Sequence, residues 1–502
     1  MSIININHLL KDNYKNSLLT SYFLTFLSLV ASIFITRHIF KFFDNSEYGI
    51  YILIIETVAV FEILDFGFSG GMLTFLSRET NNKIRINKLV STLFYCQFIL
   101  ASLALSLSVY ISFNPELLFN NIDTGSQILN NGILIASFSL FVTLINKSLS
   151  QILYSRRRIS KDNFLKIFSL LFRVVLIFSL THIFPKIEFL LLVILLTQMI
   201  NFGSIVYILR RNESRITFNI KYFDINILKE VWKVSSWFAI GGISIILIER
   251  FDNIMTGLVL STGAVTILVI TRKLFEITKS LIFRLNNNFR PYFGKMLGQN
   301  KNELVLNKFR NLSVLSVSLA TFIGGIIVII NQKFIDIWVG NDKYGGLVLS
   351  LLLFFNLVFH AWKISYRAFF SSNLIAKELA ISSFFEGIFN ILLAYMLSLS
   401  YGLAGIVAST FISGLVVNGY IFYKINKSYK FEKSKDLLIR NIKQFIMVVT
   451  FVGFLLIIYN NINSLFIKLF YLIILIISYS IAVKYLFFKN YSLNSILKGK
   501  IL

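Results

Sequence analysis

From about Leu18 to the C-terminus the chain repeats one pattern, an apolar run of roughly 20 residues or more followed by a short polar connection. At 1.5 Å per residue, such a run crosses the ~30 Å hydrocarbon core of a bilayer as a helix. The pattern predicts an all-α integral membrane protein with about fourteen transmembrane helices. The first run follows a polar start and continues without a small-residue cleavage site, so it reads as a retained span rather than a signal peptide. No connection is long enough to form a separate domain, which confines any chemistry to the bundle.

The connections alternate in charge. With the N-terminus on the cytoplasmic side, the even-numbered ones include "RETNNKIRINK" at 78–88, "SRRRISKD" at 155–162, "RRNESRITFNIKYFDINILKEVWK" at 210–233 and "KINKSYKFEKSKDLLIRNIK" at 424–443, all basic. The odd-numbered ones, such as "FNPELLFNNIDTGS" at 113–126 and "LSYG" at 399–402, hold few or no Lys and Arg. The positive-inside rule then places both termini in the cytoplasm. It also accounts for the net charge of +25 as topology, without nucleic acid as a partner.

Composition agrees with a membrane solvent: 56% of the 502 residues are hydrophobic and only 15% are charged. The single cysteine, Cys96, lies in an apolar run and excludes an intramolecular disulfide. The four histidines show no metal-site spacing, and there is no Walker loop or G-x-S-x-G elbow, so neither a cofactor nor direct ATP drive is expected.

A self-comparison adds internal symmetry. "YGIYILIIETVAVFEI" from Tyr48 resembles "TGAVTILVITRKLFEI" from Thr262, with Gly49 on Gly263 and Phe61-Glu62 on Phe275-Glu276. "QILYSRRRISKDNFLKI" resembles "YRAFFSSNLIAKELAIS" at nearly the same shift, and Arg37 falls near Arg250. Spans 1 to 6 and 7 to 12 are then two copies of one unit, related by an axis along the membrane normal. The expected division is 1–215, 216–430, and an additional pair of spans at 431–502. Two parallel six-helix halves without soluble domains suit an alternating-access transporter.

The eighth span, "ITRKLFEITKSLIFRLNNNFRPYFGKM" at 270–296, breaks the apolar rule. At 100° per residue Arg272, Glu276, Lys279 and Arg290 share one side, flanked by Lys273 and Arg284. Each charge at mid-bilayer costs about 2.5–3.5 kcal/mol even on the lenient insertion scale. Two arrangements relieve this cost: a network neutralised by Glu249, Asp252, Glu62 and Asp65, or a water-filled cavity facing a substrate. The excess of cations favours the cavity, and a cationic cavity selects an anionic cargo. Arg173 in span 5, and Lys363 and Arg367 with His360 in span 10, are further candidates. Arg37 and Arg250, near span ends, either join them or snorkel to the interface. Arg290, followed by Pro291, is expected to end span 8 at a cytoplasmic gate.

Span 2 holds Glu56, Glu62 and Asp65. A carboxylate in that position is either a proton or sodium coupling site or a partner for span 8 cations. Gly67, Gly70 and Gly71 allow another helix to approach closely, or soften the span for bending.

These residues resemble a known family. "FFDNSEYGIYILIIETVAVFEILDFGFSGGMLTFLSRE", "RKLFEITKSLIFRLNNNFRPYF" and "LIAKELAISSFFEGIFNILLAYMLSLSYGLAGIVASTFIS" resemble helices 2, 8 and 11 to 12 of Wzx-type polysaccharide-repeat flippases. These belong to the multidrug/oligosaccharidyl-lipid/polysaccharide (MOP) exporter superfamily. The resemblance implies two six-helix lobes around a central cavity, with two extra helices in some members. It implies a bacterial inner-membrane protein that flips undecaprenyl-diphosphate-linked oligosaccharide from the cytoplasmic to the outer leaflet, for O-antigen, capsule or another surface glycan. It also implies a polysaccharide polymerase and chain-length machinery as partners. The cations it carries over are Arg37, Arg250, Arg272, Lys273, Lys279 and Arg284. As a transporter the protein is expected to have no catalytic residue and to draw on an H+ or Na+ gradient.

Other readings remain open: a peptidoglycan-precursor flippase, a drug exporter, or a membrane-embedded polymerase or glycosyltransferase. A drug exporter for organic cations calls for a net acidic cavity. A polymerase calls for a sizeable outer loop with catalytic charge, and the outer connections are short.

Overall fold

The computed structural model describes residues 14–79, 82–116, 126–156, 158–212, 216–298, 302–372, 376–428, 434–462 and 464–487. Its long elements are all helices: α1 (Tyr14–Ile39), α2 (Asn45–Ala59), α3 (Phe68–Arg78), α4 (Lys83–Phe113), α5 (Ser126–Ser155), α6 (Ile159–Ile183), α7 (Ile187–Asn212), α8 (Ile225–Glu249), α9 (Phe251–Val259), α10 (Thr262–Gly298), α11 (Asn302–Trp338), α12 (Gly346–Ser372), α13 (Ala376–Ser428), α14 (Ser434–Asn461) and α15 (Leu465–Phe487).

Among the described residues, eleven stretches are long and apolar enough to cross a membrane. Three physical features reconcile eleven with fourteen. The second span is interrupted between α2 and α3 by a tight 3-10 turn at Val60–Asp65. The eighth span, α10, carries too much charge to register as apolar. Finally, α13 is two spans read as one, because Gly402 inside it has φ 56° and ψ −134°. A Cβ at Gly405 would lie 2.1 Å from the Leu397 carbonyl oxygen, so the chain folds back on itself at the expected "LSYG" connection. The fold is that of an all-α, multi-pass membrane protein of fourteen spans.

Local chemistry starts these helices. Asp44 and Glu47 form a reciprocal capping box at the start of α2, Asn82 caps α4 and Asp224 caps α8. At the far end of α10 the expectation of a stop fails: the helix runs past Pro291 to Gly298. Proline removes one N–H and crowds one carbonyl, a cost of about 3 kcal/mol in a helix interior that neighbouring structure can absorb.

The chain separates into two compact units, Met1–Thr266 and Ile267–Leu502. In the first, α5 packs between α4 and α7, and α1 packs on α6. The seventh span belongs to the same unit, with α8 lying on α3 and α9 on α2. Glycine allows close approach here: a Cβ at Gly67 would lie 2.4 Å from the Ser235 carbonyl oxygen of α8, and one at Gly49 of α2 would lie 1.9 Å from the carbonyl oxygen of Thr262, at the start of α10. In the second unit, α11 packs on α12, and α12 on α13. Its core joins Leu268, Phe275 and Ile282 of α10 to Phe354 and Leu357 of α12 and to Phe451, Leu455 and Tyr479 of the last two helices. Those two helices are thus built into the second unit, with Gln444 donating to the Val314 carbonyl.

Buried amides supply polar contacts within each unit. Asn146 of α5 donates to the Gln198 carbonyl at 2.9 Å, Asn331 of α11 donates to the Thr271 carbonyl at 2.9 Å, and Ser409 donates to Asn390 at 2.9 Å. In a bundle surrounded by lipid, such bonds add to the packing between helices.

Candidate functional site

Two charged groups stand out, one in each unit. The first lies where two spans break. After the 3-10 turn, Phe66 and Gly67 adopt left-handed backbone, φ 44° and 70°. Glycine tolerates this conformation freely and phenylalanine does not, so the break is a built feature. The seventh span breaks at Arg250, which ends α8 and precedes α9. Arg250 reaches back to the second span, donating through Nη1 to Glu56 Oε2 at 2.8 Å and through Nη2 to Glu62 Oε1 at 3.1 Å. Asn253 donates to the other oxygen of Glu56 at 3.1 Å.

Arg250 is therefore a counter-ion in an acid-rich group, with Glu249 in electrostatic reach of its guanidinium. The sequence leaves Arg250 either among the cavity cations or snorkelling to the interface; its partners here are two carboxylates of the second span. Glu62 also has a different partner from the expected span 8 cations, because the two helix breaks bring it against Arg250. Asp65 accepts from Ser69 at 2.5 Å and pairs with Lys147 of α5 at 3.6 Å. Asp252 is half-buried in the first turn of α9, and Glu249 is exposed.

The second group lies in the second unit. Arg272 Nε pairs with Glu276 one helical turn on, at 2.8 Å; Arg272 is 13% exposed and Glu276 48%. Lys273, Lys279 and Arg284 are all partly buried. On α12, His360, Lys363 and Arg367 recur at helical spacing on one face. Lys363 Nζ donates to Glu386 Oε1 of α13 at 2.5 Å, with Lys363 only 9% exposed and Glu386 1%. Arg367 donates to Ser383. Lys279 lies within electrostatic reach of both His360 and Lys363. Nε2 of His360 is buried with no hydrogen-bond partner among the described residues. Among these named side chains the basic ones, Arg272, Lys273, Lys279, Arg284, Lys363 and Arg367, outnumber the acids Glu276 and Glu386.

The remaining candidates stand apart. Arg37 is exposed at the end of α1, and Arg173 is partly buried in α6 with an Nε that finds no hydrogen-bond acceptor among the described residues. The side chain of Arg290 lies outside the described residues. Sequence reasoning missed Glu386, whose signal is a lone acid in the apolar run "ISSFFEGIFN". It also missed Lys147, and the buried Asp162, which pairs with Lys166 at 2.5 Å and accepts from Ser150 at 2.9 Å.

No protein-family profile and no curated protein sequence matches the chain. Solved structures do. An inward-facing multidrug-resistance MATE transporter of the MOP superfamily superposes with a TM-score of 0.69 at 13% identity, over 81% of this chain and 96% of that one. The lipid II flippase MurJ, in an inward closed conformation, also superposes with a TM-score of 0.69, at 16% identity over 93% and 99%. A MATE protein in a bent conformation gives 0.59 at 13% identity, over 87% and 100%. The chain has the fold shared by these MOP-superfamily transporters.

Proposed function

We propose that this protein is a transporter that flips a lipid-linked oligosaccharide, with a polyprenyl diphosphate as the anionic carrier, from the cytoplasmic to the outer leaflet of a bacterial inner membrane. The observation that carries the reading is the recurrence of basic side chains, Arg272, Lys273, Lys279 and Arg284 on α10 and Lys363 and Arg367 on α12, in a chain with the fold of known transporters. Diphosphate oxygens accept charge-assisted hydrogen bonds from guanidinium and ammonium donors, and Arg presents them as a planar fork. In water-poor surroundings those bonds are worth more than at an exposed surface. The lipid tail stays in the bilayer while the headgroup crosses, and no covalent bond is made or broken.

Alternating access supplies the movement, with Arg272, Lys273, Lys279 and Arg284 as substrate contacts. Glu276 orients Arg272. The carboxylates Glu56, Glu62 and Glu386 are the places where an H+ or Na+ gradient would act. The product is consumed at the outer leaflet by a polysaccharide polymerase and its chain-length machinery, and both termini are cytoplasmic.

The test is to delete the protein in its host, measure lipid-linked oligosaccharide and surface glycan, and complement with Arg272→Ala and Lys279→Ala. Complete repeat units held on the cytoplasmic leaflet, lost polymer and failed complementation are expected. Flipped single repeats that are never joined would indicate a polymerase.

The acid-rich group around Arg250 favours a second reading, export of an organic cation, as the multidrug-resistance name of one structural neighbour suggests for that protein. In that case deletion leaves both glycan pools unchanged and raises sensitivity to cationic compounds.

A further inference from the structure

The connection between the sixth and seventh spans is held in an unusual way. Residues 217–224 form no long helix, apart from a short 3-10 turn at Ile220–Tyr222. Polar side chains on the first turns of α4 nevertheless fix their backbone. Thr217 N–H donates to Asn87 Oδ1 at 3.1 Å, and Ser91 donates to the Thr217 carbonyl at 3.0 Å. Asn219 N–H donates to Ser91 Oγ at 3.2 Å, and Asp224 N–H to Thr92 Oγ1 at 2.9 Å. Lys88 closes the far end on Asp224 at 2.9 Å. The segment is a strap laid against the cytoplasmic end of α4.

Its side chains are of the wrong kind for water. Phe218, Ile220, Phe223 and Ile225 are exposed, Ile220 by 60%, and Trp232 is exposed on the next turns of α8. Phe218 packs on Phe94 and Trp232 on Phe66 and Phe68, yet each keeps more than a third of its surface open, so burying the remainder against apolar matter is favourable. The neighbouring charge is equally one-sided. The acids nearby are already engaged, Asp224 by Lys88 and Glu230 by Arg85. Arg210, Lys221, Lys229 and Lys233 are exposed and have no acidic partner among the described residues. Exposed apolar groups interleaved with unanswered cations, at the end of a membrane span, match one surface: a bilayer with anionic headgroups.

We infer that the 216–233 region is an interfacial anchor, with Phe218, Ile220, Phe223 and Ile225 inserted at the headgroup level and Lys221, Lys229 and Lys233 bound to anionic lipid phosphates of the cytoplasmic leaflet. This stands independently of the transported cargo. It assigns a lipid-composition requirement to a connection that is otherwise a plain link between spans.

The test uses full-length protein carrying Cys96→Ala and a single nitroxide at Ile220→Cys, or at Asn219→Cys, in vesicles of phosphatidylcholine with or without one-third phosphatidylglycerol. Power-saturation electron paramagnetic resonance reads the label's depth from its exposure to oxygen and to a water-soluble nickel complex. The label at 220 is expected at headgroup depth or below, deeper with phosphatidylglycerol, and the label at 219 nearer water. Lys221→Glu, Lys229→Glu and Lys233→Glu are then combined, with each single change as a control for folding. Loss of the phosphatidylglycerol effect is expected, at roughly fivefold weaker preference per cation removed. A label at 220 equally open to the nickel complex in both vesicles overturns the inference. So does a label shielded from both reagents only in native membranes, which would assign the surface to a protein partner.

Discussion

The guanidinium of Arg250 bonds Glu56 and Glu62 at once, at 2.8 and 3.1 Å, and so ties the break in the seventh span to the break in the second. One planar fork serves two carboxylates separated by more than a helical turn. An ammonium, with its compact charge, cannot reproduce that geometry. Arg250→Lys is therefore expected to behave closer to Arg250→Met than to the parent. Both are expected to lower stability by about 1–3 kcal/mol, the usual worth of hydrogen bonds to charged groups. Thermal unfolding in detergent checks this, and full stability in Arg250→Lys would show that charge alone suffices.

Lys363 and Glu386 form a deeply buried ion pair in the second unit. Removing one partner leaves an uncompensated buried charge, so Lys363→Met alone is expected to cost about 3–5 kcal/mol. Replacing both, as Lys363→Met with Glu386→Leu, is expected to recover most of that loss. A double-mutant cycle on unfolding midpoints measures the coupling. A double variant that also loses transport would identify the pair as a functional element as well as a structural one.

Gly67 meets two demands together, a left-handed φ of 70° and a backbone approach to Ser235. Gly67→Ala is expected to be destabilising by more than about 1 kcal/mol from backbone conformation alone, with displacement of α8 added. Gly203, around which a Cβ would meet nothing, is the control: Gly203→Ala is expected to be neutral or slightly stabilising. Equal behaviour of the two variants contradicts the packing of α8 on the second span.

The strap on α4 gives a pH dependence. The hydrogen bond from Lys88, then the backbone N–H groups of Asn226 and Ile227, hold the Asp224 carboxyl below the ordinary carboxylate value. A depressed folded-state value means that the contribution is present above the unfolded pKa of about 4 and is lost as pH falls through the folded value. Proteolysis or labelling of residues 217–224 is therefore expected to rise at acid pH below about 4, and Asp224→Asn to show the higher level at neutral pH. Because Asp224 lies at the surface, salt weakens the effect.

Much of the architecture was legible in the hydropathy pattern. Most of the spans follow from apolar run length, and Gly402 sits in the connection expected between spans 11 and 12. The cationic character of the second unit was also readable from α10 and α12. Hydropathy records how many charges a span holds, but not which partner each one meets. It therefore missed Glu386 against Lys363 and Lys147 against Asp65, both of which are contacts between different helices. The α4 strap escaped for the same reason, since its anchors Asn87, Ser91 and Thr92 look like ordinary polar residues near a span end.

The measurement that bears most directly on the central claim is flipping itself. Purified protein is reconstituted into liposomes carrying a fluorescent polyprenyl-diphosphate oligosaccharide, and a membrane-impermeant quencher reports how much of the lipid crosses between leaflets. The account predicts rapid transfer by the parent protein, at least tenfold slower transfer by the combined Arg272→Ala and Lys279→Ala variant, and no transfer of the same lipid lacking its diphosphate. Transfer no faster than in protein-free liposomes, with a folded protein and either ion gradient applied, would contradict it.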